Sequence, residues 1–267
     1  MNKVVLITGG SSGIGKSIGE FLHHKGFIVY GTSRNPERVL NSVFPLIALD
    51  VRNTDSIQAA VAKIMAISGR LDIVINNAGV GITGPLEEIP AEEIRNNFET
   101  NFFGPIEVMK AALPQMRVQK SGLIINITSI AGYMGLPYRS VYSASKGALE
   151  LITEALRMEV KSFGIQITNV APGDFATNIA SGRFHAPLIQ GSAYEIPYGN
   201  TLKMMDEHVD GGSNPNEMAE VVYKIIQTKE PRIHYKVGVF MQKFSIVLKR
   251  ILPDKVYEKM LMNHYKL

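Results

Sequence analysis

Six short runs rich in Val, Ile and Leu recur along the chain: "KVVLIT" (3–8), "FIVYGT" (27–32), "PLIALD" (45–50), "LDIVIN" (71–76), "GLIINIT" (122–128) and "IQITNVA" (165–171). Runs that do not alternate with polar residues belong to strands covered on both faces, which is the condition of a parallel sheet. Helical stretches at 13–25, 54–67, 91–118, 141–163 and 215–228 lie between and after them, and "HYKVGVF" (234–240) supplies one more strand. This alternation predicts an α/β fold, a doubly wound parallel sheet in one domain over 1–240. Within it, 178–214 is too long for a simple connection and is expected to form a lid carrying Phe184, Tyr194, Tyr198, Met204 and Met205. A helical tail is expected over 241–267.

Composition excludes several kinds of chemistry. At 267 residues and 45% hydrophobic, the chain can bury a large core, and without Cys it can have neither disulfides nor a thiolate nucleophile. The six His show no ligand spacing, so no metal site is expected. No apolar run reaches the length of a membrane span, and the apolar stretch in "MNKVVLITGG" is too short for a secretory leader, so a cytoplasmic location is expected. The net charge of +4 resides in 243–267, where Lys243, Lys249, Arg250, Lys255, Lys259 and Lys266 outnumber Asp254 and Glu258. The rest of the chain is neutral, with none of the basic stripe that nucleic acid would require.

"TGGSSGIG" (Thr8 to Gly15) closes the first strand and opens the first helix. At that junction Gly9, Ser11, Ser12, Gly13, Ile14 and Gly15 would let backbone N–H groups approach a pyrophosphate, helped by the helix N-terminus. The second strand ends in Ser33 and Arg34 with no acid before Glu37. A free ribose 2′-hydroxyl calls for a carboxylate there, whereas a guanidinium holds a 2′-phosphate, so NADP(H) is favoured and NAD(H) is the alternative.

Five motifs in order and spacing, "TGGSSGIG", "NNAG" (76–79), Ser129 after the fifth strand, "YSASK" (142–146) and "PGDFAT" (172–177), resemble the short-chain dehydrogenase/reductases. The resemblance spans about residues 1–240. It implies a Rossmann fold, often a homodimer or homotetramer, that moves a hydride between a nicotinamide and a carbonyl or alcohol. It also implies that Asn77, Ala78 and Gly79 line the cofactor, that Asp50 and Val51 flank the adenine, that Pro172 and Gly173 bind the cofactor, and that Thr177 reaches the nicotinamide amide or a phosphate. Asn101, in "NNFETNFFG", matches the family's Asn that links the catalytic Lys to solvent.

Tyr142 and Lys146 share a helix face. At an effective dielectric of 20, an ammonium about 5 Å from a phenolate stabilises it by about 3 kcal/mol, which brings the phenol toward useful acid/base strength. Tyr142 is thus the expected proton donor, Lys146 its electrostatic partner, Ser129 the group that polarises the substrate oxygen, and Asn101 the fourth member; Tyr142 and Lys146 also contact the cofactor. Tyr133, Met134 and Tyr138 are candidates for the pocket wall or for core packing. Asp174 suggests only capping or loop hydrogen bonding. The lid suggests an apolar substrate, and the resemblance to the family's hydroxysteroid and retinol dehydrogenases implies a steroid-, retinoid- or lipid-like one; a catalytically idle nucleotide sensor is the alternative.

In the tail, Phe244, Val247, Leu248 and Ile251 fall at i, i+3, i+4 and i+7, and Val256, Met260 and Leu261 continue beyond Pro253. Two amphipathic helices are expected. They either pack on the domain or at a subunit interface, or they give 243–267 a peripheral membrane contact.

Overall fold

The computed structural model describes residues 2–175, 182–210 and 213–267, with side chains described outside 206–210. In chain order the elements are β1 (Val4–Ile7), α1 (Gly13–His24), β2 (Ile28–Ser33), β3 (Leu46–Ala48), α2 (Thr54–Ser68), β4 (Ile73–Asn76), β5 (Ile82–Thr83), α3 (Ala91–Phe98), α4 (Gly104–Gln119), β6 (Gly122–Ile127), α5 (Ser140–Glu159), β7 (Ile165–Pro172), β8 (Phe184–His185), α6 (Glu195–Asp210), α7 (Pro215–Gln227), β9 (His234–Val237), α8 (Phe240–Ile251) and α9 (Asp254–Tyr265).

Seven of the strands form one parallel sheet in the order β3-β2-β1-β4-β6-β7-β9. The apolar runs feed two cores at once. Val4, Leu6, Val74, Ile124 and Ile167 pack with α2, α4 and α5, while Val5, Ile7, Ile73, Ile75, Ile125 and Val170 pack with α1 and α7. Burying each such side chain contributes about 2 kcal/mol, so the absence of polar alternation has a direct cause. After β3 the chain crosses back to place β4 on the other side of β1. The crevice at this reversal, beyond the carboxyl ends of the strands, is where an open α/β sheet receives ligands.

Two segments depart from the expected pattern, and a third takes one of the expected alternatives. The helix expected over 91–118 is interrupted by a π-turn at Glu99–Phe103, which separates α3 from α4. The insertion is more than a loop: β8 pairs with β5, and α6 seats Tyr198 in a buried cluster with Ile82 and Val141. Finally, the tail packs on the domain, with Ile246 and Tyr257 joining Ile130, Met134 and Ala171 in a further core.

The apolar face expected for α8 is divided between the core and the surface. Leu248 packs inward, but Phe244, Val247 and Ile251 are exposed. A polar anchor sets the helix rotation: Gln242 Nε2 donates to Asp174 Oδ2 (2.7 Å), and Gln242 Oε1 accepts from the Asp174 N–H (3.4 Å). Asp174, which the sequence left without a role, thus ties the tail to the end of β7.

Candidate active site

The glycine loop is held from behind. Asn77 Nδ2 donates to the carbonyls of Thr8 (3.0 Å) and Gly9 (3.1 Å), and Thr8 Oγ1 accepts the N–H groups of Asn77 and Ala78 (3.0 Å each). Gly9 has a φ of +65°, and a Cβ on Gly15 would lie 2.4 Å from both Asn77 Nδ2 and the Gly9 carbonyl oxygen, so neither position readily accepts a side chain.

Over this loop runs a cleft of about 600 Å³. Gly9, Ser11, Ser12, Gly13 and Ile14 lie along it, with Ser33, Arg34, Asp50 and Val51 toward one end and Asn77, Ala78, Gly79, Tyr142, Lys146 and Pro172 toward the other. Gly15 is not on the cleft wall; its role there is the close packing behind the loop. Gly173 lines the neighbouring cavity instead, and Thr177 lies outside the described residues.

The sequence reading missed Arg52, which also lines the cleft. Its Nε and Nη2 donate to the two oxygens of Asp50 at 3.2 and 3.0 Å, and this pairing, with added charge from Arg34, holds the Asp50 carboxyl below its usual range. The signal was its position two residues after Asp50. Two guanidiniums against one carboxylate leave this end of the cleft positive, which suits a phosphate-bearing adenosine. The cleft volume, the glycine cradle and the N-terminus of α1 fit a nicotinamide dinucleotide.

At the other end, Ser129 follows β6 in extended backbone and caps a 3₁₀ turn, Ile130–Tyr133. That turn lies directly on α5 because Gly132 meets Gly147: a Cβ on Gly147 would be 2.9 Å from the Gly132 carbonyl oxygen. Ser129 Oγ accepts the Ala131 N–H (3.2 Å), which leaves its hydroxyl proton free to be donated into the cavity.

Lys146, 4% exposed, donates from Nζ to the Ile127 carbonyl (2.9 Å). Burial pushes its ammonium down to about 8, partly opposed by Glu150 one turn further along α5. The π-turn carries Asn101 into the same corner. Its Oδ1 accepts the Val80 N–H (2.8 Å), its Nδ2 donates to the Val80 carbonyl (2.9 Å), and a Cβ on Gly79 would touch both Asn101 Oδ1 (3.2 Å) and Lys146 Nζ (3.3 Å). The structure therefore brings Asn101 and Lys146 together around Gly79.

A second cavity of about 560 Å³ shares Tyr142 and Pro172 with the cleft. It starts at Ser129 and continues between the insertion (Met204, Met205) and the tail (Met241, Leu248, Tyr257, Met260, Leu261). Its polar residues include Arg139, Asp174 and Gln242, and the Arg139 guanidinium sits 5.3 Å from the Tyr142 ring centroid. Tyr133, Met134 and Tyr138 are not on its wall. Tyr133 donates to Glu150 Oε2 (2.8 Å), Met134 is buried beneath Tyr257, and Tyr138 packs against Tyr194 and Tyr198. Among the described residues no group of acids and histidines could hold a metal ion.

The chain matches the short chain dehydrogenase family model over residues 3–187. It is 41% identical over 264 residues to 3-ketodihydrosphingosine reductase of Bacteroides thetaiotaomicron, covering 98% of each chain. Among solved structures, a short-chain dehydrogenase from Streptomyces avermitilis superposes with a TM-score of 0.84 at 30% identity, covering 100% of this chain and 96% of that one. ElxO, solved with NADP bound, gives 0.70 at 28% identity, covering 88% of this chain and 98% of that one.

Proposed function

Since the chain belongs to the short-chain dehydrogenase family and is an oxidoreductase that uses a nicotinamide cofactor, we propose that it uses NADPH to reduce the ketone of a long-chain amphiphile, with 3-ketodihydrosphingosine as the leading candidate. The observation that carries this reading is the cavity beginning at Ser129 and Tyr142, whose Met- and Leu-rich wall suits an alkyl chain. The likeness to the Bacteroides thetaiotaomicron reductase extends through the tail that builds this wall, beyond the part matched by the family model.

When bound, the cofactor supplies the hydride. The chain's own groups position the ketone and manage the proton. Ser129 donates a hydrogen bond to the ketone oxygen, where negative charge grows as the carbonyl is reduced. Tyr142 delivers its proton to that oxygen, and the nearby Lys146 ammonium stabilises the phenolate left behind. Asn101 holds the corner around Gly79 and Val80 so that Lys146 keeps its place. Arg34 and Arg52 favour the 2′-phosphate of NADP(H) over a bare 2′-hydroxyl.

The test is loss of nicotinamide absorbance with ketones of increasing chain length. Turnover is expected to rise with chain length and to be faster with NADPH than with NADH. Nucleotide binding with no turnover of any ketone would instead favour a sensor.

A further inference from the structure

The tail helices do two things at once. Their inner face closes the cavity with Leu248, Tyr257 and Leu261 and buries Ile246 in the core beneath, while the outer face of α8 carries an uninterrupted apolar stripe of Phe240, Phe244, Val247 and Ile251. These residues are spaced 4, 3 and 4 apart, so they lie in one line along the helix. Phe240 and Ile251 are 71% and 67% exposed, and the Phe240 and Phe244 rings stack at 5.6 Å and 13°. A stripe of this kind on the outside of a helix whose other face is already packed has no role in the core.

Two observations identify what covers it. Lys243 and Arg250 flank one side of the stripe, and α8 contains no acidic residue. A second copy pairing antiparallel through the same stripe would set these basic residues against each other, and a parallel copy would offer them no acid on its own α8. An anionic lipid surface answers both the charge and the apolar line. Furthermore, the stripe adjoins the cavity: Met241 on α8 and Met260 on α9 line it while remaining 66% and 42% exposed.

We propose that the outer face of α8 docks on an anionic phospholipid bilayer, so that a long-chain ketone passes from the lipid between Met241 and Met260 to Ser129 and Tyr142. Docking itself stands on the stripe and its charges; the passage of a ketone rests on the proposed reductase reading. No described helix is long and apolar enough to cross a membrane, which fits attachment at the surface.

The experiment is co-sedimentation of the full chain with vesicles of phosphatidylglycerol and phosphatidylcholine in equal parts, and with phosphatidylcholine alone. Binding to the anionic vesicles is expected to be about tenfold or more tighter at low salt and to fall steeply as salt rises. The variant Phe240→Ser, Phe244→Ser, Ile251→Ser should lose that binding while keeping its thermal melt and its NADPH affinity, since the three side chains are outside the core and the cleft. Absence of binding to anionic vesicles at low salt, equal binding by the variant, or self-association of the wild type that the variant abolishes without any vesicle binding would each overturn docking. Sedimentation is read without turnover: an enzyme that reduces long-chain ketones but ignores vesicles loses the docking proposal alone, and one that binds vesicles but reduces nothing loses the reductase reading alone.

Discussion

At the scale of single residues, the proposed mechanism separates groups that act on the proton from groups that select the ligand. Tyr142→Phe keeps the ring beneath the Arg139 guanidinium but removes the transferable proton. Turnover should fall by about 10² or more while NADPH affinity, followed by fluorescence titration, is kept. Arg34 and Arg52 should act on cofactor choice alone. Changing Ser33 to Asp and Arg34 to Leu should shift the kcat/KM ratio toward NADH, because the new carboxylate repels a 2′-phosphate and accepts bonds from a 2′-hydroxyl. The same proposal gives Asp174 a selecting role at the other end. Its carboxylate lies on the cavity wall beside Gln242, so a ketone with a neighbouring ammonium gains a charge partner there. Asp174→Asn should raise KM for such an amino ketone several-fold and leave an uncharged long-chain ketone nearly unaffected, as steady-state assays on the pair would show.

The π-turn and the tail illustrate how elements carry function. A continuous helix over 91–118 would rotate Asn101 away from Gly79. The π-turn adds a residue to one turn and so returns the amide to the corner shared with Lys146. This irregularity was legible only as an awkward Asn in a helical pattern, since nothing local in "ETNFF" distinguishes a π-turn from an α-turn. The tail was legible as two helices broken at Pro253, but its inward face was not. The period of the apolar residues pointed to Phe244, Val247, Leu248 and Ile251, of which only Leu248 packs inward, whereas the contacts that orient the tail run from Gln242 of α8 to Asp174 and from Tyr257 of α9 to Met134, 68 and 123 residues apart. The two faces make a direct prediction. Ile246→Ala should cost about 3 kcal/mol in urea unfolding and raise KM for long-chain ketones, while Ile251→Ala should change stability by less than about 0.5 kcal/mol.

Across the whole molecule, the parts legible in the sequence are those whose chemistry is local in the chain. The glycine loop, "NNAG" and "YSASK" each bring their residues within a few positions, and the strand runs set the sheet through burial alone. The wall of the second cavity and the network behind α5 depend on distant elements meeting. In that network, Glu150 of α5 accepts from Tyr133, pairs with His234 of β9 (Nδ1 to Oε2, 2.8 Å) and has Lys236 of the same strand near the Tyr133 ring; His234 Nε2 also meets Glu154 (3.0 Å). The hydrogen bond to Glu150, with the charges of Glu150 and Glu154, raises the His234 pKa against the opposing effect of burial. A raised pKa in the folded state means that the protonated imidazole stabilises the fold. This contribution is complete below the unfolded His value of about 6.5 and is lost as pH climbs through the higher folded value. Melting temperature should therefore decline from mildly acidic to mildly alkaline pH, and His234→Gln should flatten that decline in parallel melts.

The two cavities meet at Tyr142 and Pro172 but draw their far walls from different stretches of chain. Among the described residues none that lines the cleft lies beyond Phe184, whereas the outer wall of the second cavity is drawn from the insertion and from 241–265. This has a consequence for descent. Substitutions in the last helices can accumulate without trespassing on the cleft, so lineages that share this fold can exchange one substrate for another while inheriting the cofactor unchanged.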